Sequence, residues 1–295
     1  MANTASLPFT KMHGLGNDFV VLRQRDLPKN IAIEKLAATL CDRHFGVGAD
    51  GLIVVSLPDD PKTADLKFIY LNSDGSWAEM CCNGIRCFAL YAKNNGYLKS
   101  NTFKAETRAG LLTLTIHNDD TVTVNMGAPI LEAQKIPFVS NNGLSENAVV
   151  KDYPIAVLGQ QVPVTLVSMG NPHCLIFQND LEKPLDPAQF GPAIETHPNF
   201  PKKTNVEFLE VVNDHTLKAT VWERGCGFTL ACGTGACASA VGAMLLGKIT
   251  APKVDVILPG GTLLIEWSQQ ENAPVMMTGP ATTVFTGNFT VPTIN

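Results

Sequence analysis

The sequence lacks the features that mark nucleic-acid-binding and membrane proteins. It has no cluster of Lys or Arg, and its net charge of −5, with an isoelectric point near 5.7, disfavours binding to nucleic acid or to an anionic membrane. No apolar run reaches the length of a transmembrane helix. The first residues, MANTASLPFTKM, lack the basic start and apolar core of a signal peptide. We therefore expect a cytoplasmic protein with no nucleic-acid or membrane partner.

Patterns that bind metal ions or nucleotides are also missing. The cysteines around Cys81 and Cys232 form no C-x-x-C pair, and no histidine stands near either cluster in the sequence. The glycine-rich stretches GLGND and GCGFTLACGTGA have neither the G-x-G-x-x-G spacing nor the GK[ST] ending of a phosphate-binding loop. We expect no metal and no cofactor.

What is present fits a soluble globular α/β protein of two domains. The 295 residues are 45% hydrophobic and 17% charged, which is enough apolar material for a core in each domain. Eight cysteines would suggest disulfides in a small secreted chain, but a cytosolic protein of this size keeps them reduced.

One segment, Glu223 to Ser239, combines a charged pair with a reactive position. Glu223 and Arg224 precede a glycine-rich turn, and Cys232 stands directly before a run of small residues that predicts a helix start at Gly233. A thiol at a helix N-terminus lies beside unpaired N–H groups and the positive end of the dipole, which favours the thiolate. The same N–H groups can hold a carboxylate. Alone, however, Cys232 would more often be a buried core residue.

A second segment, Asn72 to Cys87, matches the first and changes that interpretation. Cys81 and Cys232 are 151 residues apart, and each is followed three residues later by a glycine, Gly84 or Gly235. Asn72 and Glu223 stand nine residues before these cysteines, and two Gly-Asn turns, at Gly16 and Gly170, obey nearly the same shift. A repeat this long predicts two copies of one domain, each presenting a Gly-Asn turn and a cysteine at a helix start.

The apolar pattern predicts a similar order of elements in both halves. We expect a hairpin at 9–23, strands at 19–22, 52–57, 66–71, 111–116, 121–126, 153–158, 162–169, 174–178, 206–212, 217–222, 254–258, 262–267 and 275–278, and helices at 33–43, 83–94, 187–195 and from Gly233. The run Met126-Gly127-Ala128-Pro129 predicts the domain boundary. The domains would be 1–126 and 127–278, with the strand-like tail 279–295 completing the first.

Two equivalent thiols fit stereoinversion better than nucleophilic catalysis. A cysteine nucleophile needs one thiol with a histidine base, whereas stereoinversion needs an acid and a base on opposite faces of one carbon. A helix terminus can bring a thiol pKa toward the working pH. The substrate carboxylate, held on the two helix N-termini, would stabilise the carbanion. The sequence thus predicts cofactor-free racemisation or epimerisation.

Five motifs, in this order from His13 to Ser239, resemble those of the diaminopimelate epimerase family: HGLGNDF, NSDGSWAEMCCNGIRC, GNPH, TNVEF and ERGCGFTLACGTGACAS. The resemblance implies two pseudo-symmetric α/β domains, each a curved, mostly antiparallel sheet around a central helix, with the active site in the cleft between them. It also implies interconversion of L,L- and meso-diaminopimelate, for lysine and peptidoglycan synthesis, without pyridoxal phosphate or metal. A homodimer is the implied assembly.

The resemblance also implies residue roles. Cys81 and Cys232 resemble the two acid/base cysteines, and His173 and Glu223 the residues that tune them. Matches to substrate-contacting positions are Asn17, Asn72, Asn171, Asn205, Glu223 and Arg224, with the backbone groups of Cys82, Asn83, Gly233 and Thr234. Amides, an acid and an arginine suit a substrate with two ammonium and two carboxylate groups. Each asparagine alone would be read as a turn or cap residue, and His173 as a buried, hydrogen-bonded histidine.

Three positions depart from the family pattern. Cys82 replaces the usual glycine after the first catalytic cysteine, and Cys81 is preferred because its offsets to Asn72 and Gly84 match the repeat. Phe228 stands where many members have glutamate, and Gly51 where some use glutamine for the distal end of the substrate. These departures affect distal-end specificity and leave the reaction type intact.

Three alternatives stay open at this point. One is a cofactor-independent racemase of another amino acid, including a proline-racemase-like enzyme. Another is a binding protein that captures amino acids without turnover. A third is a redox sensor that switches by a disulfide between Cys81 and Cys232.

Overall fold

The structure is a computed structural model that describes residues 6–29, 31–141 and 143–291. The strands, in chain order, are β1 (Ser6–Gly14), β2 (Asn17–Arg23), β3 (Gly51–Ser56), β4 (Leu66–Asn72), β5 (Thr102–Thr107), β6 (Gly110–Ile116), β7 (Val122–Asn125), β8 (Tyr153–Val157), β9 (Gln160–Ser168), β10 (Pro172–Phe177), β11 (Asn205–Asn213), β12 (Thr216–Glu223), β13 (Gly227–Phe228), β14 (Lys253–Leu258), β15 (Gly261–Glu266), β16 (Met276–Gly279) and β17 (Thr282–Thr290). The α-helices are α1 (Ile33–Cys41), α2 (Cys82–Asn94), α3 (Pro187–Glu195) and α4 (Gly233–Leu245). Short 3-10 turns occur at Gln24–Asp26, Ala133–Lys135 and Gln178–Asp180.

The chain divides into two compact units. The first contains the residues up to Val124 and those from Gly279 onward, and the second runs from Asn125 to Thr278. The sequence-based division after Met126 lies two residues from the division at Val124. The tail strand β17 pairs antiparallel with β1, with Ser6 opposite Thr290. Residues 292–295 of the predicted tail lie outside the described residues.

The two units repeat one pattern of strand pairing. In the first unit, each strand pairs with the next in the order β17, β1, β2, β3, β4, β5, β6 and β7. The parallel pairs are β2–β3 and β4–β5. In the second unit they run β8, β9, β10, β11, β12, β14, β15 and β16, and β10–β11 and β12–β14 are parallel. The remaining pairs in both rows are antiparallel. The mostly antiparallel sheets and the repeat expected from the sequence are therefore present.

Each sheet wraps around one buried helix. Helix α2 contacts β1, β2, β3, β4 and β6, and every residue from Cys82 to Ala92 is buried. Helix α4 contacts β9, β10, β11, β12, β14 and β15, and it is buried almost throughout. Helix α4 is apolar on all sides, which is stable only inside a core, whereas α2 also buries the polar side chains of Asn83 and Arg86. The predicted central helices are confirmed.

Shorter helices cover the other face of part of each sheet. Leu36 and Leu40 of α1 pack on Val20 and Leu52 of β2 and β3. Because side chains alternate across a strand, strands covered on both faces read as unbroken apolar runs. In the second unit Phe190 and Ile194 of α3 join a cluster with strands β8 to β11. No helix among the described residues is long and apolar enough to cross a membrane.

Two strands escaped the sequence analysis, β5 and the two-residue β13. Strand β5 reads TFKAET, in which Phe103, Ala105 and Thr107 are buried and the intervening residues are mostly exposed. The alternation is correct for a strand, but two of the three inward residues are small or polar, so the apolar signal is weak. Helix α1 also ends earlier than predicted, at Cys41 instead of Arg43.

Gly51, the first residue of β3, is tightly enclosed. A Cβ atom added there would lie 2.5 Å from Cε2 of Tyr70 and 2.7 Å from the carbonyl oxygen of Leu71. The Tyr70 ring thus occupies the space into which a longer side chain would extend. Glutamine at this position would need the ring to move.

Replacing Gly51 with Ala is expected to lower the free energy of unfolding by about 1–3 kcal/mol, because the added methyl group overpacks this site. Urea unfolding measures the change. Leu111→Ala is the control, since Leu111 is 53% exposed on β6, and it should alter the free energy by less than about 0.5 kcal/mol. Equal unfolding midpoints for the two variants would contradict the close packing around Gly51.

Candidate functional site

Cys81 caps the central helix of the first unit. It has extended backbone angles, and its Sγ accepts a hydrogen bond from the N–H of Gly84 at 3.4 Å. One of the unpaired donors of the helix N-terminus thus points at the sulfur. Cys82 is the first helical residue and is buried. The capping position therefore belongs to Cys81, as the repeat offsets predicted.

Asn17 holds the Cys81 side chain from the neighbouring turn. Its Oδ1 accepts from Cys81 Sγ at 3.7 Å and from Asn83 Nδ2 at 3.3 Å, and its Nδ2 donates to Asp50 Oδ2 at 2.6 Å. Gly16, with φ 86°, makes the turn that places Asn17 at the start of β2. Two of the predicted site residues, Asn17 and Asn83, are thus gathered around this sulfur.

Cys232 repeats this arrangement in the second unit. It caps α4 with extended backbone angles, and its Sγ accepts from the N–H of Gly235 at 3.4 Å. The hydroxyl of Thr234 lies 3.5 Å from the same sulfur. Gly233 and Thr234 are the first two helical residues, so their N–H groups are among the donors available to an anion.

A chain of polar side chains leads away from Thr234. Asn171 Nδ2 donates to Thr234 Oγ1 at 3.2 Å, and His173 Nε2 lies 3.0 Å from Asn171 Oδ1. His173 Nδ1 lies 2.6 Å from Oε1 of Glu207, and both side chains are fully buried. Gly170, with φ 97°, makes the turn before Asn171 as Gly16 does before Asn17. The predicted residues Asn171, His173 and Thr234 therefore form one network with Cys232.

The electrostatic surroundings of Cys232 differ from the sequence-based expectation. Burial raises the pKa of its thiol well above the usual value, and the neighbouring carboxyls of Glu223 and Glu207 raise it further. The N–H of Gly235 and the hydroxyl of Thr234 act in the opposite direction but do not outweigh these causes. The net shift is opposite to the lowered pKa predicted from the helix terminus, because desolvation and two acids exceed the helix contribution.

Glu223 lies at the end of β12 and faces Cys232. Burial raises its pKa, while hydrogen bonds from Thr229 and Cys232 lower it in part. A carboxyl with a raised pKa beside a thiol is suited to exchanging a proton with that thiol.

Asn205 and Glu195 hold the backbone that carries Arg224. Asn205 Oδ1 accepts from the N–H of Arg224 at 2.9 Å, and its Nδ2 donates to the carbonyl of Pro172 at 2.9 Å. Glu195 accepts from Gly225 N–H at 3.1 Å and from Trp222 Nε1 at 2.8 Å. The Arg224 side chain is exposed beyond this fixed backbone.

Two predicted positions lie apart from these networks. Asn72 ends β4, and its amide donates to Ser76 Oγ at 2.9 Å, within its own loop. Phe228 of β13 is 52% exposed and packs edge-on against Trp222 at 5.1 Å between ring centroids. An apolar contact replaces whatever polar contact a glutamate would make at that position.

Sequence reasoning missed Glu207 and Glu195. Glu207 lies within the TNVEF motif, and a glutamate between apolar strand residues is itself a signal of a buried polar contact. Glu195 closes a helix, and no local pattern distinguishes it from a surface residue. Within the described residues, no three His, Cys, Asp or Glu side chains are grouped as a metal site.

Glu223→Gln is expected to lower the pKa of the Cys232 thiol, because it removes the nearby acid that raises this pKa most. Ultraviolet absorbance of the thiolate, recorded against pH, measures this shift. Difference spectra against variants that also carry Cys232→Ser isolate the Cys232 contribution. An unchanged or higher Cys232 pKa in Glu223→Gln would contradict the electrostatic account.

Comparisons with known proteins agree with this geometry. A family profile described as Diaminopimelate epimerase matches residues 9–132 and 165–284. A diaminopimelate epimerase of Desulfitobacterium hafniense is 51% identical over 287 residues, covering 95% of this chain and 97% of that protein.

Solved structures share the fold at low sequence identity. A methylitaconate-delta-isomerase superposes with a TM-score of 0.68 at 12% identity, covering 98% of this chain and 96% of that chain. A hydroxyproline epimerase from Agrobacterium vitis, with bound trans-4-hydroxy-L-proline, gives 0.67 at 16% identity, covering 98% and 93%. The predicted mixed α/β fold of two pseudo-symmetric domains is confirmed. With the profile match and the 51% identity over nearly the whole chain, this protein belongs to the diaminopimelate epimerase family, a family of isomerases.

Proposed function

We propose that this protein interconverts L,L- and meso-diaminopimelate without a cofactor, using Cys81 and Cys232 as its two acid/base groups. The observation that carries the proposal is the matched capping geometry of the two sulfurs, each 3.4 Å from the N–H of a glycine three residues later. Family membership supplies the substrate and the reaction.

The chemistry needs one thiolate and one thiol. The thiolate removes the proton from the α-carbon, so that the C–H bond breaks, an S–H bond forms and the electron pair stays on carbon. The other thiol then delivers its proton to the opposite face and becomes the thiolate. The two sulfurs have exchanged roles when the product leaves, and the reverse reaction restores them.

The protonation of Cys232 favours one starting arrangement. Because its thiol pKa is raised by burial and by two carboxyls, Cys232 is favoured as the proton donor at the start of the reaction. An α-ammonium group of the substrate near Glu223 would offset the negative charge and bring this pKa down. Glu223 is also placed to accept the Cys232 proton when that residue must act as the base.

The helix N-termini are the proposed carboxylate site. N–H groups of Cys82 and Asn83 on α2, and of Gly233 and Thr234 on α4, would hold the carboxylate next to the reacting carbon. The amides of Asn17, Asn72, Asn171 and Asn205 and the side chains of Glu223 and Arg224 would bind the remaining groups of the substrate. Tyr70 fills the space beside Gly51 and lies next to the Cys81 thiol, so it would border the reacting centre.

Solvent exchange tests the reaction and its substrate together. In D2O, the first product formed from L,L-diaminopimelate should carry deuterium at the inverted centre, while the remaining substrate gains little. A panel with proline, hydroxyproline and other amino acids tests the racemase alternative. Exchange into one of these with none into either diaminopimelate isomer would reject the proposed substrate.

Cys81→Ala and Cys232→Ala are each expected to reduce epimerisation by at least about 100-fold, since each removes one of two obligatory proton-transfer groups. The assay follows conversion of each isomer and deuterium incorporation. Substantial turnover by either variant would contradict the two-base scheme.

Two matched cysteine controls accompany these variants. Cys226→Ala removes an exposed thiol, and Cys82→Ala removes a side chain whose backbone alone is assigned a role. Both should keep most of the activity. If Cys82→Ala were inactive while Cys81→Ala turned over, the acid/base role would belong to Cys82. A binding protein would instead show affinity without exchange in every form, and a redox sensor would form the Cys81–Cys232 disulfide without turnover.

The proposed assembly is a homodimer, as the family resemblance implies, in the cytoplasm, where the eight free cysteines would stay reduced. Sedimentation equilibrium should give twice the chain mass of 31.7 kDa. A single species of 31.7 kDa at enzyme-assay concentrations would reject the dimer.

A further inference from the structure

Glu207 is a buried carboxyl to which the two-base scheme gives no role. It lies on β11, beside β10, which carries His173, and both residues face α4 from the same side of the sheet. Both side chains are 0% exposed, and Oε1 of Glu207 is 2.6 Å from Nδ1 of His173. Burying a carboxyl in a core costs free energy unless the carboxyl is paired or protonated, so the contact with His173 compensates for the burial of Glu207.

The contacts of His173 determine how many protons the pair holds. Nε2 lies 3.0 Å from Asn171 Oδ1, an oxygen that can only accept, so Nε2 carries a proton. The 2.6 Å separation of Nδ1 and Oε1 needs a second proton between them, because two lone pairs at that distance would repel. Among the described residues Oε2 of Glu207 has no hydrogen-bond partner, which disfavours a bare carboxylate. The pair is therefore net neutral.

The same reasoning gives a direction to the hydrogen bonds that follow. Asn171 uses its Oδ1 for His173, so its Nδ2 donates to Thr234 Oγ1. The Thr234 hydroxyl accepts that bond, and its single hydrogen is free to point at Cys232 Sγ, 3.5 Å away. A hydroxyl donating to sulfur stabilises the thiolate.

We propose that Glu207 is a positioning residue for epimerisation: by sharing a proton with His173 Nδ1, it fixes His173 as a donor to Asn171 and thereby directs the Thr234 hydroxyl toward Cys232. The inference deepens the proposed function and rests on it for its kinetic readout. The titratable groups next to Glu207 are His173 on β10, Glu223 on β12 and Cys232 before α4, while Cys174 points to the opposite face of β10.

The approach of α4 to this carboxyl depends on glycine. A Cβ atom at Gly235 would lie 2.9 Å from Oε1 of Glu207 and 3.3 Å from Cys232 Sγ. Gly235 thus donates its N–H to the sulfur, and its lack of a side chain leaves room for Glu207. The capping contact and the buried pair occupy one compact space.

Two variants separate positioning from packing. In Glu207→Gln, the side-chain amide can donate to His173 Nδ1, so Nε2 keeps its proton and the hydrogen-bond direction is preserved. In Glu207→Leu, Nδ1 loses its partner and His173 can adopt the other tautomer. Thr165→Val is the control, because Thr165 is a buried polar residue that also packs near α4 and lies outside this network.

The first readout is the ¹⁵N spectrum of His173 in the full-length, substrate-free protein, assigned with a His173→Asn variant. We expect a proton on Nε2 in the wild type and in Glu207→Gln, and a mixture of tautomers in Glu207→Leu. This readout needs no turnover, so it decides the inference even if diaminopimelate is not the substrate. A wild-type His173 without a proton on Nε2, or a Glu207→Leu variant that keeps the wild-type Nε2–H tautomer alone, overturns it.

The second readout is steady-state kinetics with diaminopimelate. Glu207→Leu should lower kcat by about 10- to 100-fold with little change in KM, since misorientation at the sulfur affects the chemical step. Glu207→Gln should recover most of that loss, and Thr165→Val should behave as the wild type. Equal losses in Glu207→Leu and Glu207→Gln, or a loss confined to KM, would overturn the positioning role.

Discussion

Both candidate sulfurs depend on one interaction, the hydrogen bond from a glycine N–H to a cysteine that caps a buried helix. The helix can begin there because the sheet wraps around it and the thiol satisfies one of its unpaired donors. The surroundings on the donor side are close. A Cβ atom at Gly84 would meet Ile53 at 3.2 Å, and one at Gly235 would meet Glu207 at 2.9 Å. The close packing around each cap therefore limits which side chains fit at Gly84 and Gly235.

The two halves share a backbone plan but surround their sulfurs with different chemistry. In the first unit an amide, Asn17, bridges Cys81 and Asp50. In the second unit Cys232 lies among two carboxyls and a histidine-containing network. The duplicated domain thus supplies matched capping geometry, while different side chains surround each sulfur.

Much of this arrangement could be predicted from the sequence because it is local. The offsets of Gly84 and Gly235 from their cysteines identified both caps, and unbroken apolar runs identified the strands covered on both faces. Strand β5 was missed because Ala105 and Thr107 give little apolar signal. The net shift of the Cys232 pKa is opposite to the predicted one because it depends on burial and on Glu207 and Glu223, which come from distant strands. Tertiary burial outweighed a local helix effect.

The central claim is that the sulfurs of Cys81 and Cys232 act on opposite faces of one carbon. A crystal structure of the wild-type protein with an unreactive α-substituted diaminopimelate measures this most directly. The account predicts the α-carbon between the two sulfurs, each within about 3.5 Å and on opposite faces. An α-carbon within reach of one sulfur alone, or with both sulfurs on the same face, would contradict it.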